Sequence, residues 1–135
     1  MTKIFVFDAN ILISANLLPK SVSRKAYDKA IELGIPVYSD TTLAEFSETL
    51  VRPKFDKYTT FHERVAAISN FEKVGQHIRV FKRIDICRDP KDNKYLELAA
   101  EVNATCIITG DNDLLTLHPF NGIPILTPAA FLNEF

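Results

Sequence analysis

KIFVFD, residues 3–8, is a nearly continuous apolar run that stops at an aspartate. Such a run is typical of a parallel strand covered by helices on both faces. Aspartate disfavours strands, so Asp8 marks the carboxyl end of this one. Three further acidic residues, Glu45, Asp92 and Asp111, also stand where a strand-like run gives way to a helix-like run. Because an α/β sheet gathers the carboxyl ends of its parallel strands along one edge, we expect the four carboxylates to meet there.

Four other segments have the character of strands. Residues 35–39 and 104–109 are short, largely apolar and rich in β-branched or aromatic residues. Residues 78–84 carry three basic side chains among their apolar ones, which suits an edge strand. Residues 123–126 contain a proline and precede another, so we expect a peripheral strand there.

Four helical patterns, with apolar residues three or four positions apart, lie between these strands. Their boundary signals are Gly34 at the end of the first, Thr41 or Thr42 at the start of the second, a Thr60–Glu63 capping box opening the third, and Asp89-Pro90 opening the fourth. Short helical turns are expected after Asp111 and Pro128. Strand alternates with helix, so the predicted fold class is α/β with a mainly parallel sheet, in one domain over residues 1–135.

The overall composition limits the function classes. Hydrophobic residues make up 47% of the chain and charged residues 24%, which is ordinary for a globular protein. The first apolar run is too short for a signal peptide or a membrane span, so we expect a cytoplasmic location and no membrane contact. The spacing of Cys87 and Cys106 is not that of a metal site. A net charge of −1 provides no global basic field, so nucleic-acid binding would require a local patch.

Each acidic residue also has a local structural explanation. Asp8 could cap a following helix, and Thr42 with Glu45 matches the spacing of a capping box. Asp92 would occupy the first turn of the helix opened by Asp89, where acidic residues are favourable. No single residue is therefore specific, and the argument for a site depends on their joint placement.

The last acidic junction, Gly110-Asp111-Asn112-Asp113, contains two candidates. Asp113 is expected to cap the short helix that follows, and Asp111 is the better metal candidate. The sequence leaves open which of the two faces inward.

Five short motifs appear in a suggestive order. They are FDANILISA at residues 7–15, TLAEF at 42–46, RPKF at 52–55, RDPKDN at 88–93 and TGDNDLL at 109–115. Together they resemble the PIN domain family, the PilT N-terminus-like nucleases, and within it the VapC-type toxins of toxin–antitoxin pairs. The resemblance covers essentially the whole chain.

This resemblance implies a three-layer fold with a five-stranded parallel sheet of order 3-2-1-4-5 flanked by helices. It also implies Mg²⁺- or Mn²⁺-dependent RNA cleavage, homodimers, and neutralisation by a small antitoxin protein. The family's acidic positions fall on four residues, with a fifth supplementary acid and two supporting polar residues: Asp8, Glu45, Asp92 and Asp111, then Asp113, then Asn10 and Thr109.

A divalent cation is the simplest partner for so many carboxylates, because uncompensated they would repel one another. In this hypothesis Asp8 is the central ligand, and Asp92 and Asp111 complete the metal site. Glu45 would bind a second ion or orient the attacking water, and Asn10 would hydrogen-bond Asp8. The ligand types favour Mg²⁺ or Mn²⁺ over zinc.

Substrate binding would require positive charge beside these acids. The candidate nucleic-acid-binding residues are Lys54, Lys57, Arg88, Lys91 and Lys94, and the candidate stacking surfaces are Phe55 and Tyr58.

Two rival functions fit parts of the pattern. A PIN-like scaffold could bind RNA or a protein partner without cutting, although the intact acidic set argues against it. An aspartyl-phosphate phosphotransferase or phosphatase is the other rival, because Asp8-Ala9-Asn10 resembles the start of the haloacid-dehalogenase motif. That motif's second Asp and following Thr are missing here.

Overall fold

The computed structural model describes residues 2–135 and places a five-stranded sheet at the centre of the fold. The strands are β1 (Lys3–Phe7), β2 (Gly34–Tyr38), β3 (Gln76–His77), β4 (Cys106–Ile108) and β5 (Ile125–Leu126). Their order is β3-β2-β1-β4-β5, and every neighbouring pair is parallel. The predicted α/β fold with sheet order 3-2-1-4-5 is confirmed.

Seven α-helices accompany the sheet within these residues. They are α1 (Ala9–Leu17), α2 (Val22–Leu33), α3 (Asp40–Leu50), α4 (Phe61–Val74), α5 (Asn93–Val102), α6 (Asn112–Leu115) and α7 (Pro128–Glu134). Helix α1 packs against α2 and α3, α2 also packs against α7, and α5 packs against β1 and β4. Short 3₁₀ turns at Pro53–Phe55 and Pro90–Asp92 precede α4 and α5. No helix in the described part of the chain has both the length and the apolar character needed to cross a membrane.

The middle of the sheet is fully buried, as its apolar runs predicted. Phe5 and Val6 of β1 and all three residues of β4 are inaccessible to solvent. Both strands are covered on both faces, which explains why neither alternates apolar with polar side chains. A carboxylate that follows such a strand therefore begins in the protein interior.

The predicted edge strand at residues 78–84 is wrong, because β3 ends at His77 and the chain continues without strand pairing. Side chains of α5 take over its backbone hydrogen bonds. Glu101 accepts from the backbone N–H of Phe81 at 2.8 Å, and Glu97 accepts from that of Ile84 at 3.0 Å. The segment therefore runs along α5 and leads into the 3₁₀ turn that precedes this helix.

The predicted capping box of Thr42 and Glu45 is also wrong. Helix α3 starts at Asp40, before both predicted starts, Thr41 and Thr42, and Ser39 is its N-cap. The Ser39 hydroxyl accepts from the backbone N–H of Thr42 at 3.2 Å, and the Thr42 hydroxyl accepts from that of Ser39 at 2.9 Å. Glu45 is thereby released from any capping role. The Thr60–Glu63 capping box of α4 is confirmed.

Candidate metal centre

Asp8 lies at the carboxyl end of β1, and only 4% of its surface is exposed. The Thr109 hydroxyl donates to one carboxylate oxygen at 2.7 Å, and the backbone N–H of Asn10 donates to the other at 3.2 Å. Burial raises the pKa of Asp8, and the charges of Glu45 and Asp111 raise it further. These two hydrogen bonds orient the carboxylate, but neither of the two donors carries a positive charge.

Asp92, Asp111 and Asp113 come together beside Asp8. One carboxylate oxygen from each of the three lies within 4.8 Å of the others. Asp92 makes no capping hydrogen bond to α5, although it directly precedes this helix. Burial raises the pKa of Asp92 to about 7, aided by a hydrogen bond with Asp111 and by the charges of Asp111 and Asp8. Without a cation, Asp92 therefore keeps its proton up to nearly neutral pH.

Asp111 and Asp113 differ in how their charges are balanced. Asp111 caps α6, because its side chain accepts from the backbone N–H of Asp113 at 2.9 Å. The prediction that Asp113 caps this helix is therefore wrong. Arg88 binds the Asp113 carboxylate through two hydrogen bonds of 2.7 and 2.9 Å, which lower the pKa of Asp113. Both acids reach the cluster, but Asp113 is already paired.

Thr109 connects the acids that follow the two central strands. Its side chain is fully buried, donates to Asp8 and accepts from the backbone N–H of Asp111 at 3.0 Å. Asn10 contacts Asp8 through its backbone N–H, where we had expected its side chain to act.

Glu45 joins the site indirectly. Its carboxylate accepts a hydrogen bond from the hydroxyl of Tyr95, and Lys94 Nζ lies 3.5 Å away. The Tyr95 hydroxyl also accepts from the backbone N–H of Ala9 at 3.1 Å, next to Asp8. Tyr95 is fully buried, and burial raises its pKa, so it stays protonated and can donate to Glu45. Glu45 is therefore near the cluster of three acids without being part of it.

The acids open onto two different cavities. One of about 550 Å³ is lined by Asp8, Asp111, Asp113 and Arg88, among others. The other, of about 730 Å³, has Glu45 in its lining. Asp8, Asp111 and Asp113 are thus accessible from one cavity and Glu45 from another.

The predicted nucleic-acid-binding residues separate into two groups. Arg88 is paired with Asp113, while Lys91 and Lys94 line the cavity beside Glu45. Lys54 and Lys57 belong to a different surface, the segment between α3 and α4.

Asn93 is a residue of this region that the sequence reasoning missed. Its side-chain oxygen accepts from the backbone N–H groups of Ile86 and Cys87 at 3.2 and 3.0 Å, which holds the segment leading to Asp92. Tyr95 is a second such residue. No local sequence pattern marks the amide of Asn93 or the hydroxyl of Tyr95, because the hydrogen-bond partners of both lie outside the helix that carries them.

The donor set fits a hard divalent cation. Asp92, Asp111, Asp113 and the adjacent Asp8 offer only carboxylate oxygens, the ligands that Mg²⁺ and Mn²⁺ take in proteins. Burial, together with the neighbouring negative charges, raises the pKa values of Asp8 and Asp92, and a bound cation would lower both.

Comparison with known proteins gives a consistent result. The family model described as "PIN domain" matches residues 5–113, a range that contains all five acids. An uncharacterized protein of the archaeon Methanocaldococcus jannaschii is 34% identical over 140 residues, which covers 96% of this chain and 90% of that protein.

Proposed function

The chain belongs to the PIN domain family, and from this premise we propose that it is a Mg²⁺- or Mn²⁺-dependent nuclease that hydrolyses phosphodiester bonds. The observation that carries the proposal is the convergence of Asp92, Asp111 and Asp113 beside the buried carboxylate of Asp8. Carboxylates brought this close repel one another as anions, and a divalent cation between them would remove the repulsion.

Asp8, Asp92 and Asp111 are the proposed ligands, because their charges have no cationic side chain in bonding contact among the described ion pairs. Bound there, a divalent cation would supply charge neutralisation at the phosphate and a more acidic water. Thr109 orients Asp8 by donating to it, and the Arg88 guanidinium holds Asp113 at the rim.

Glu45 is proposed to orient the attacking water or to bind a second ion. The Tyr95 hydroxyl fixes its carboxylate, and Lys94 Nζ lies 3.5 Å from the same carboxylate oxygen. Lys91 and Lys94 would meet the substrate's phosphates in the same cavity.

The finer proposals are that the substrate is RNA, cut endonucleolytically, and that the protein is the toxin of a toxin–antitoxin pair. The motifs that resemble VapC-type toxins support them. A homodimer, a cognate antitoxin and a cytoplasmic location belong to the same proposal.

The direct test is a cleavage assay. We expect the purified protein to cut single-stranded RNA internally with Mn²⁺ or Mg²⁺ present and to stop when EDTA is added. Labelled DNA of the same sequence, run in parallel, tests the preference for RNA. If neither substrate is cut with either metal, the nuclease proposal fails and a binding scaffold becomes the better description.

Cation binding should also be visible in the pH dependence of stability. The folded pKa of Asp92 is about 7 against an ordinary value of 3.8, so the folded state holds a proton that the unfolded state releases. The metal-free protein should therefore lose stability as pH rises from about 4 towards 7. Mn²⁺ should reverse the loss above pH 7, by about 2.7 kcal/mol at a hundredfold excess over its Kd.

Thermal unfolding at several pH values, with and without Mn²⁺, measures both effects. Asp28→Asn is a matched control, because Asp28 pairs with Arg24 on an exposed face of α2 and should leave the Mn²⁺ effect unchanged. An Mn²⁺ stabilisation equal at pH 5 and pH 8 would contradict the assignment.

A further inference from the structure

A separate groove, distinct from the two cavities at the acids, lies between α1 and the 3₁₀ turn after α3. Its volume is about 290 Å³, and its apolar lining is Ile13, Leu17, Leu18, Phe55 and Tyr58. Leu18 and Tyr58 are 46% and 48% exposed, so this apolar surface is open to solvent.

A lysine side chain lies over each of the two aromatic rings in this groove. Lys54 Nζ lies 5.0 Å from the centre of the Phe55 ring, and Lys57 Nζ lies 5.4 Å from that of Tyr58. The rings are tilted by 52° with centres 6.3 Å apart, so they do not stack on each other. Aromatic rings beside cations are suited to binding single-stranded nucleic acid, because bases stack on accessible ring faces and phosphates contact the charges. Tyr58 is exposed, and Phe55 is partly buried.

The segment that carries the two rings is held in place by the buried side chain of Arg64. Arg64 is only 1% exposed and donates to the backbone carbonyls of Leu50 and Arg52 at 3.0 Å each. It also pairs with Asp56, which lies between the two aromatic residues. A platform fixed in this way loses little conformational entropy when a ligand binds.

The groove continues into the candidate metal centre. Asn10 and Ser14, one turn apart on α1, line both this groove and the cavity that contains Asp8 and Asp111. A chain lying in the groove is therefore directed along α1 towards the acids.

We propose that this groove binds an unpaired base of a single-stranded nucleic acid, stacked on Phe55 or Tyr58, while the adjoining phosphates contact Lys54 and Lys57. The inference rests on the proposed nuclease function, to which it adds a base-stacking subsite at Phe55 and Tyr58, next to the metal centre. A duplex keeps its bases stacked inside and offers none to the rings.

The test replaces both rings with the aliphatic side chain of leucine, as Phe55→Leu with Tyr58→Leu. Binding of a fluorescent eight-nucleotide single-stranded RNA, measured by anisotropy with Ca²⁺ in place of Mn²⁺, should weaken at least about tenfold. Phe81→Leu is the matched control, since Phe81 is exposed and lies under Arg79 but is not part of this groove. We expect its affinity to equal that of the unaltered protein.

Further measurements distinguish a failure of the stacking site from a failure of the proposed nuclease function. Hydrolysis of bis(p-nitrophenyl) phosphate with Mn²⁺, a diester too small to span both sites, is measured in the unaltered protein and tests the metal centre by itself. Unaltered RNA affinity in the double variant overturns the stacking site even if cleavage is normal. Loss of a dimer in light scattering, with RNA affinity retained, would identify the groove as a contact between copies and also overturn it. If no protein cleaves either substrate but the double variant still loses RNA binding, the stacking site stands and the nuclease proposal fails.

Discussion

Asp8→Asn is expected to reduce cation-dependent cleavage by about a thousandfold, equivalent to about 4 kcal/mol of transition-state stabilisation. The change replaces one carboxylate oxygen by an amide NH2 group and removes the charge at the centre of the site. The asparagine oxygen can still accept from the backbone N–H of Asn10, and its NH2 group can donate to the Thr109 hydroxyl, which then accepts in place of donating, so both contacts can be kept.

The same variant should fold normally. Burial raises the pKa of Asp8, which means that the ionised carboxylate destabilises the metal-free folded state. We therefore expect an unchanged or slightly higher melting temperature without metal, and a reduced stabilisation by Mn²⁺. Initial rates of RNA cleavage and thermal melts measure the two properties, with Asp28→Asn again as the control. Full turnover in Asp8→Asn would remove Asp8 from the proposed ligand set.

Arg64→Met is expected to lower the free energy of unfolding by about 3 kcal/mol, a large effect for one side chain. Methionine keeps the apolar stem but removes the guanidinium, leaving the carbonyls of Leu50 and Arg52 without their donor in the interior. The Asp56 partner is 64% exposed, so it regains water and contributes little to the loss.

Urea unfolding of Arg64→Met should be compared with that of Arg24→Met. Arg24 is also ion-paired, to Asp28 at 3.1 Å, but on an exposed helix face, where a pair contributes at most about 1 kcal/mol. Equal losses in the two variants would mean that burial gives Arg64 no special role, and would weaken the argument for a rigid Phe55–Tyr58 segment.

The successes and failures of the sequence-based predictions have distinct physical origins. Strands β1 and β4 were predictable because both faces are buried, which leaves an uninterrupted apolar run in the sequence. The segment 78–84 was predicted wrongly because it has the composition of a strand. Its backbone N–H groups bond instead to Glu97 and Glu101, which no pattern within the segment reveals.

The acidic residues also combine features that the sequence predicted with features that it did not predict. Their placement at one edge of the sheet followed from counting strand–helix junctions, although Asp92 reaches that edge from an unpaired segment held by Asn93. Which acids share a site was decided by side chains elsewhere in the chain. Tyr95 holds Glu45 beside the cluster, and Arg88 pairs with Asp113.

The sequence alone determined the fold class, the sheet order implied by the family resemblance, and the set of acids near one edge. These properties follow from local periodicity and from the topology of parallel strands. Only the tertiary structure decided the pairing within that set, because the deciding hydrogen bonds join residues far apart in the chain. Tyr95 and Glu45 are separated by 50 positions, and Thr109 and Asp8 by 101.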